Sequence, residues 1–134
     1  MLDQLFGDKT FVATTKALDA ASLRQQVIAS NLANVNTPGY KCQKVQFEDA
    51  LSRALSQPGS SAVSSLQPQV TTTNATSERQ DGNNVDMESE MVDLAGNQLK
   101  FEVLSQSVSN YFSSLRSVIK TSQARRRRVK ERSI

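Results

Sequence analysis

The residues best suited to chemistry in this chain are an acidic cluster and a single cysteine. Asp86, Glu88, Glu90 and Asp93 could offer carboxylate oxygens to a hard cation, and Cys42 could offer a nucleophilic thiol. The sequence has no histidine, so the commonest general base and metal ligand is missing. Carboxylates in the first turns of a helix also complement its dipole. We therefore predict a helix start and an unreactive thiol, with no catalytic residue, metal or cofactor.

A basic run near the end of the chain offers a different chemistry. Residues 125–134 carry six Lys or Arg and one Glu, so the net charge of +3 for the whole chain leaves −2 for residues 1–124. Such a run contacts phosphates of nucleic acid or anionic lipid, extends a helix into solvent, or meets an acidic neighbour. Because no aromatic residue is interleaved with the run, we predict no nucleic-acid recognition.

The first element that must position these groups is a long helix over residues 10–35. Every third or fourth residue in this range belongs to one stripe, and six of its eight members are apolar. The stripe consists of Phe11, Thr14, Leu18, Ala21, Gln25, Ile28, Leu32 and Val35. Neither Pro nor Gly interrupts the range, which would span about 39 Å as one helix.

A turn ends this helix and leads into a less regular region. Thr37-Pro38-Gly39-Tyr40 suits a type II turn, in which Gly supplies the positive φ. Residues 41–55 could form a short strand or extended arm followed by a helical turn. Residues 56–80 are rich in Ser and Thr, with too little apolar surface to offset their ordering entropy, so we predict a flexible loop.

A second long helix is predicted over residues 81–122. Its stripe again follows steps of three and four residues, and eight of its ten members are apolar. The stripe consists of Met87, Met91, Leu94, Gln98, Phe101, Ser105, Val108, Phe112, Leu115 and Ile119. Arg116 and Lys120 complement the dipole near its end.

The two stripes predict an all-α fold, in which two long terminal helices form an antiparallel coiled-coil-like hairpin around the flexible central loop. The corresponding division of the chain is 1–55, 56–80, 81–122 and a basic tail at 123–134. Apolar residues make up 37% of the chain, which is low for a large private core. We therefore predict that other subunits complete the apolar seams. The predicted subunit-packing residues are Phe11, Leu18, Ala21, Ile28, Leu32, Val35, Met87, Met91, Leu94, Phe101, Val108, Phe112, Leu115 and Ile119.

The run from Ala29 to Lys41 resembles the signature of flagellar basal-body rod and hook proteins. The motif residues are Asn31, Asn34, Thr37, Pro38, Gly39 and Tyr40. Residues 84–88, 97, 100–102 and 115–120 are similar to the second half of the proximal rod proteins, and the short chain also suits that branch. The basic tail departs from the family, whose members we expect to end soon after the helix.

The resemblance implies a non-enzymatic structural subunit of the rod, the axle that transmits motor torque, required for flagellum assembly and motility. Implied partners are copies of itself, other rod proteins, a FliE-type adaptor and the membrane-ring protein. The flagellar type III export apparatus would carry the chain to the periplasm without a cleaved signal peptide. The absence of a long apolar run predicts that it is not an integral membrane protein. The alternative is a small basic-tailed protein that binds nucleic acid or membranes.

Overall fold

The computed structural model describes residues 8–74 and 79–132, with side chains up to residue 123. Its elements are α1 (Lys9–Ala33), β1 (Gln43–Gln46), α2 (Glu48–Ser56), α3 (Ser61–Ser64), β2 (Gln69–Thr72) and α4 (Met87–Arg132). The prediction of a mostly helical chain with long helices towards both ends is confirmed. The all-α class is wrong in one respect, because β1 and β2 form a small sheet.

Helix α1 has clear start and stop signals in the sequence. The Asp8 carboxylate accepts a hydrogen bond of 3.0 Å from the Thr10 amide, which satisfies a free N–H of the first turn. At the other end the Asn34 amide donates to the carbonyls of Ser30 and Asn31. Pro38, placed shortly beyond, prevents the helix from continuing. The 25 residues of α1 therefore form one uninterrupted helix.

The sheet joins the segment after the turn to the segment predicted as a flexible loop. β1 and β2 are antiparallel, with Gln43 opposite Thr72 and Val45 opposite Val70. The side chain of Val63, on α3 in the same segment, is fully buried. Because the strands are rich in Gln and Thr, their sequence shows no apolar alternation that would predict the sheet. The strands are held together by backbone hydrogen bonds.

Helices α1 and α4 lie side by side and run in opposite directions. Phe11 stacks on Tyr111 with ring centroids 4.5 Å apart. The Asn97 amide donates to the Ala21 carbonyl at 2.8 Å, and the Asn31 amide donates to the Glu90 carboxylate at 2.9 Å. Residues with higher numbers on α1 therefore contact residues with lower numbers on α4.

Helix α4 is much longer than its partner. It has 46 residues and α1 has 25. Because Phe11 lies beside Tyr111 and Phe112, about 20 residues of α4, or 30 Å, extend past the described start of α1. The buried apolar core lies at the other end, where α1, β1, α2 and the start of α4 meet. Its members are Ala20, Ala21, Val27, Ile28, Cys42, Val45, Phe47, Ala54, Val63 and Val85.

Candidate functional site: a polar corner and an exposed helix face

The turn after α1 has the geometry that its sequence predicts. The Tyr40 amide donates to the Thr37 carbonyl at 3.2 Å, which closes the turn around Pro38 and Gly39. Gly39 has a φ of +72°, a value that costs little only for glycine at this position of a type II turn. The Gly39 amide also donates to the Asp81 carbonyl at 2.8 Å. The turn is therefore fixed against the segment that leads into α4.

Asn31 holds the end of α1 to β1 and α4. Its side chain is fully buried. The Asn31 amide donates to the Gln43 carbonyl at 2.8 Å and to the Glu90 carboxylate at 2.9 Å. Its side-chain oxygen accepts from the Gln43 amide at 3.0 Å. Because this one side chain satisfies groups on two other elements, it fixes how α1 sits against both.

Asn83 is a buried residue that the sequence reasoning did not single out. Its side-chain amide donates to the carbonyls of Asn34, Val35 and Thr37, at 2.9, 3.1 and 2.8 Å. Its side-chain oxygen accepts from the Val85 amide at 2.8 Å. These three carbonyls lie just beyond the last residue of α1, and each also accepts a hydrogen bond from another donor. Asn83 therefore fixes the segment after α1 to a distant part of the chain, and only its place just before α4 could have drawn attention to it.

Glu90 forms the second buried polar centre, together with Lys44 and Cys42. Its carboxylate is almost fully buried and lies 2.8 Å from the Lys44 ammonium nitrogen. The Cys42 thiol lies 3.4 Å from the same carboxylate. Lys44 also pairs with Asp93 at 2.7 Å. The acidic cluster is thus partly a structural ion-pair network, whereas the sequence indicated only that Asp86, Glu88 and Glu90 complement the helix dipole.

This environment alters two proton affinities. Burial, assisted by the nearby Glu90 carboxylate, raises the pKa of the Cys42 thiol from 9.0 to about 11. Burial alone would lower the pKa of Lys44, but hydrogen bonds to Asp93 and Glu90 outweigh it, and the pKa lies above its ordinary value. A thiol that stays protonated at neutral pH is a poor nucleophile and a poor metal ligand.

These shifts predict a loss of stability in alkali. The folded state holds both protons more tightly than the unfolded chain, so the stabilisation is complete below the unfolded pKa values and declines as pH rises through them. We expect the melting temperature, followed by circular dichroism, to fall between about pH 9 and about pH 11. The Cys42→Ala variant should show a shallower decline over that interval. A melting temperature that does not change with pH would contradict the assignment.

On α1, the structure places the predicted packing residues at or near the helix pair. Ala21 and Ile28 are buried, and Phe11, Leu18, Leu32 and Val35 are half-buried. The motif residues divide similarly. Asn31 is buried, Asn34 and Tyr40 are half-buried, and Thr37, Pro38 and Gly39 are exposed at the tip of the corner.

On α4, the predicted stripe is rotated away from α1 by part of a turn. Leu94, Val108 and Leu115 are half-buried, but Met87, Met91, Phe101, Phe112 and Ile119 are exposed. The line that faces α1 also contains Glu90, Asn97, Leu104 and Tyr111. Two of these residues are polar, so an apolar pattern did not reveal them. The consequence is a row of large apolar side chains that α1 covers only in part.

A metal site or a membrane span would each point to another function. Among the residues that the structure describes, no three His, Cys, Asp or Glu side chains are grouped so that they could hold a metal ion. Within residues 8–74 and 79–132, no helix is long and apolar enough to cross a membrane.

Comparison with known proteins places this corner and its helices in a family. A family model described as "Flagella basal body rod protein" matches residues 13–41. The flagellar basal body rod protein FlgB of Bacillus subtilis (strain 168) is 34% identical over 112 residues, covering 77% of this chain and 87% of that protein. The FlgB of Borrelia hermsii is 36% identical over 77% of this chain and 90% of its own length. The chain belongs to the FlgB family of flagellar basal body rod proteins.

Membership of the FlgB family extends over most of the chain. The FlgB of Escherichia coli (strain K12) is 30% identical over 90% of this chain and 99% of its own length. The segment matched by the family model includes residues 13–33 of α1 and all six predicted motif residues. These matches confirm the resemblance that was predicted from the motif residues Asn31 to Tyr40. The FlgB family consists of structural rod proteins and not of enzymes.

Proposed function

We propose that this chain is a structural subunit that assembles by packing α4 and the α1–α4 pair against neighbouring rod subunits. The observation that carries this proposal is the row of large apolar residues on α4 that the described part of the chain covers only partly. Met91 is 58% exposed and Ile119 is 51% exposed. Contiguous exposed apolar surface is characteristic of interaction sites. Contacts between different faces of identical or related subunits do not close, and they propagate along an axis.

The finer parts of the proposal follow from family membership. The α1–α4 pair acts as a coiled-coil-like unit, and many such units share the torque of the motor. The subunit resides in the periplasmic rod, reached through the flagellar type III export apparatus without a cleaved signal peptide. Its neighbours are other rod proteins, a FliE-type adaptor and the membrane-ring protein. The division at residues 55, 80 and 122 remains part of this proposal, although helix α4 continues through the last boundary to Arg132.

Charged substitutions on the exposed face test this function. Met91→Asp combined with Ile119→Asp should abolish rod assembly and motility in a strain that lacks the wild-type gene. Both side chains are about half exposed, so the far-ultraviolet circular dichroism of the purified variant should remain helical. Ser113→Asp, which adds one negative charge to the same helix without removing apolar surface, should leave motility intact. Normal motility in the double variant would refute this mode of assembly.

The basic tail separates this proposal from the alternative of a nucleic-acid- or membrane-binding protein. Helix α4 continues into the basic run, since its backbone is helical to Arg132. Deleting residues 125–134 should leave rod assembly measurable if the helix faces carry the function. If motility is lost only on this deletion, and survives the Met91 and Ile119 changes, the binding function is the correct one. Salt-dependent binding to DNA or anionic vesicles would then identify the ligand.

A further inference from the structure

Helix α4 carries a second apolar line, on the flank that borders the grooves beside α1. Val92, Gly96, Leu99 and Val103 follow one another at steps of four, three and four residues, which is the spacing of a helix-packing seam. Val92 is 72% exposed, Leu99 65% and Val103 66%. We call these four residues the outer seam. It borders an apolar groove of about 430 Å³, whose wall on the other side includes Ala17, Ala20 and Leu51.

Gly96 indicates that another backbone approaches this face. It lies inside a long helix, where glycine costs about 1 kcal/mol relative to alanine. A Cβ atom added at Gly96 would meet no atom within 4 Å, so nothing within the described chain requires glycine there. At helix–helix contacts, a residue without a side chain lets two backbones come close together. The partner that would use this space lies outside the described residues.

The charges beside the outer seam identify that partner. Asp93 and Lys100 lie one heptad apart on the same flank of the seam, and their side chains are 48% and 65% exposed. Within the chain Asp93 pairs with Lys44 at 2.7 Å and Lys100 lies 4.0 Å from Glu48, and the exposed part of each side chain is open to a second copy. If a second helix of the same sequence runs antiparallel, Val92 pairs with Val103 of the second copy and Gly96 pairs with its Leu99. In this register Asp93 lies beside Lys100 of the second copy, and the same pair recurs by symmetry. The patch is therefore complementary to itself in both shape and charge.

We infer that the outer seam binds the outer seam of a second copy of this chain, in an antiparallel pair of α4 helices with two-fold symmetry. A two-fold contact closes on itself, whereas the rod contacts proposed above propagate. The pair is thus a separate association of the free protein. The seam covers about three helical turns, so the dimer is weak and reversible, and it forms as the protein concentration rises.

Disruption of the seam provides the first test. Sedimentation equilibrium on the purified full-length chain should show dimers that dissociate on dilution. Leu99→Glu should weaken dimerisation at least about tenfold, because each pair would then bury two carboxylates. Val118→Glu is the matched control, since Val118 is as exposed as Leu99 on the same helix but lies outside the seam. Monomers at all concentrations, or an equal loss in both variants, would overturn the inference.

A charge exchange tests the antiparallel register. Lys100→Glu should weaken the dimer about threefold to tenfold, because it replaces two attractions by two repulsions. Adding Asp93→Lys to the same chain should restore the affinity, since the pair then forms with its signs reversed. Glu102→Lys, on the opposite flank, should have little effect. No rescue in the double variant would refute this register. Met91 and Ile119 lie outside the outer seam. A negative result in these dimerisation tests would therefore leave the motility test of the proposed function unaffected.

Discussion

Replacing Asn83 by alanine is expected to lower the free energy of unfolding by about 2–4 kcal/mol, because the buried Val85 amide loses its acceptor and three carbonyls just after α1 each lose one of their donors. The two amide hydrogens of Asn83 are shared among three carbonyl oxygens, and its side-chain oxygen accepts from the Val85 amide. Alanine can supply none of these bonds, and the fully buried position leaves little room for water to replace them. Urea denaturation of the purified protein measures the change.

Two further substitutions distinguish the loss of these hydrogen bonds from a general effect of replacing an asparagine in this corner. Asn83→Asp keeps the shape and the acceptor for Val85, but it turns a carboxylate towards the carbonyls of Asn34, Val35 and Thr37. It should destabilise the protein at least as much as alanine does. Asn36→Ala changes an exposed asparagine in the same corner and should cost less than about 0.5 kcal/mol. If Asn83→Ala behaved like Asn36→Ala, the hydrogen bonds of the Asn83 side chain would contribute nothing to stability.

Replacing Lys44 by methionine should produce a comparable loss, of about 2–3 kcal/mol. The change leaves the almost fully buried Glu90 carboxylate with Asn31 and Cys42 but without a cation. Removing one partner of a buried ion pair typically costs about 3–5 kcal/mol. Lys44 is itself 42% exposed, so solvent moderates the loss. Guanidinium or urea denaturation at low salt measures it.

A double-mutant cycle with Glu90→Gln assigns this loss to the ion pair. Glutamine preserves the size of the side chain and can still accept from Asn31, but it needs no cation. Lys44→Met should therefore cost much less when Glu90→Gln is already present, with a coupling energy of about 1–2 kcal/mol. Lys44→Met also removes the pair with Asp93, and Asp93→Asn measures that part separately. Additive effects of the Lys44 and Glu90 changes would show that the pair contributes nothing.

The long helices and the turn between α1 and β1 were accessible from the sequence because they depend on local signals. The stripe over residues 10–35 predicts a helix that the structure places at Lys9–Ala33. Pro38 and Gly39 predict the turn and its positive φ. The second stripe predicts a helix over 81–122, which the structure places at Met87–Arg132. Periodicity and turn chemistry act over a few residues, and both are visible in a single sequence.

The remaining structure was inaccessible because it depends on pairs of distant polar groups. Asn83 meets the end of α1, and Glu90 meets Lys44, across more than forty positions of sequence. The Gln43–Gln46 and Gln69–Thr72 strands pair through backbone hydrogen bonds, and they show little of the apolar alternation that would predict a strand. The apolar stripe predicted on α4 differs from the line of residues that contacts α1 for the same reason. Glu90 and Asn97 occupy the line towards α1, and an apolar criterion assigns such residues to solvent.

The antiparallel arrangement of α1 and α4 gives the subunit two very different resistances to force. Lys9 and Phe112 lie at the same end of the pair, because Phe11 contacts both Tyr111 and Phe112. A force that pulls the two helices apart at that end breaks the contacts one after another, so a small force separates the helices. A load that slides one helix along the other strains all the contacts from Phe11 to Asn31 together. A molecule joined in this way can be threaded through a narrow passage and can still bear shear once it is held among others.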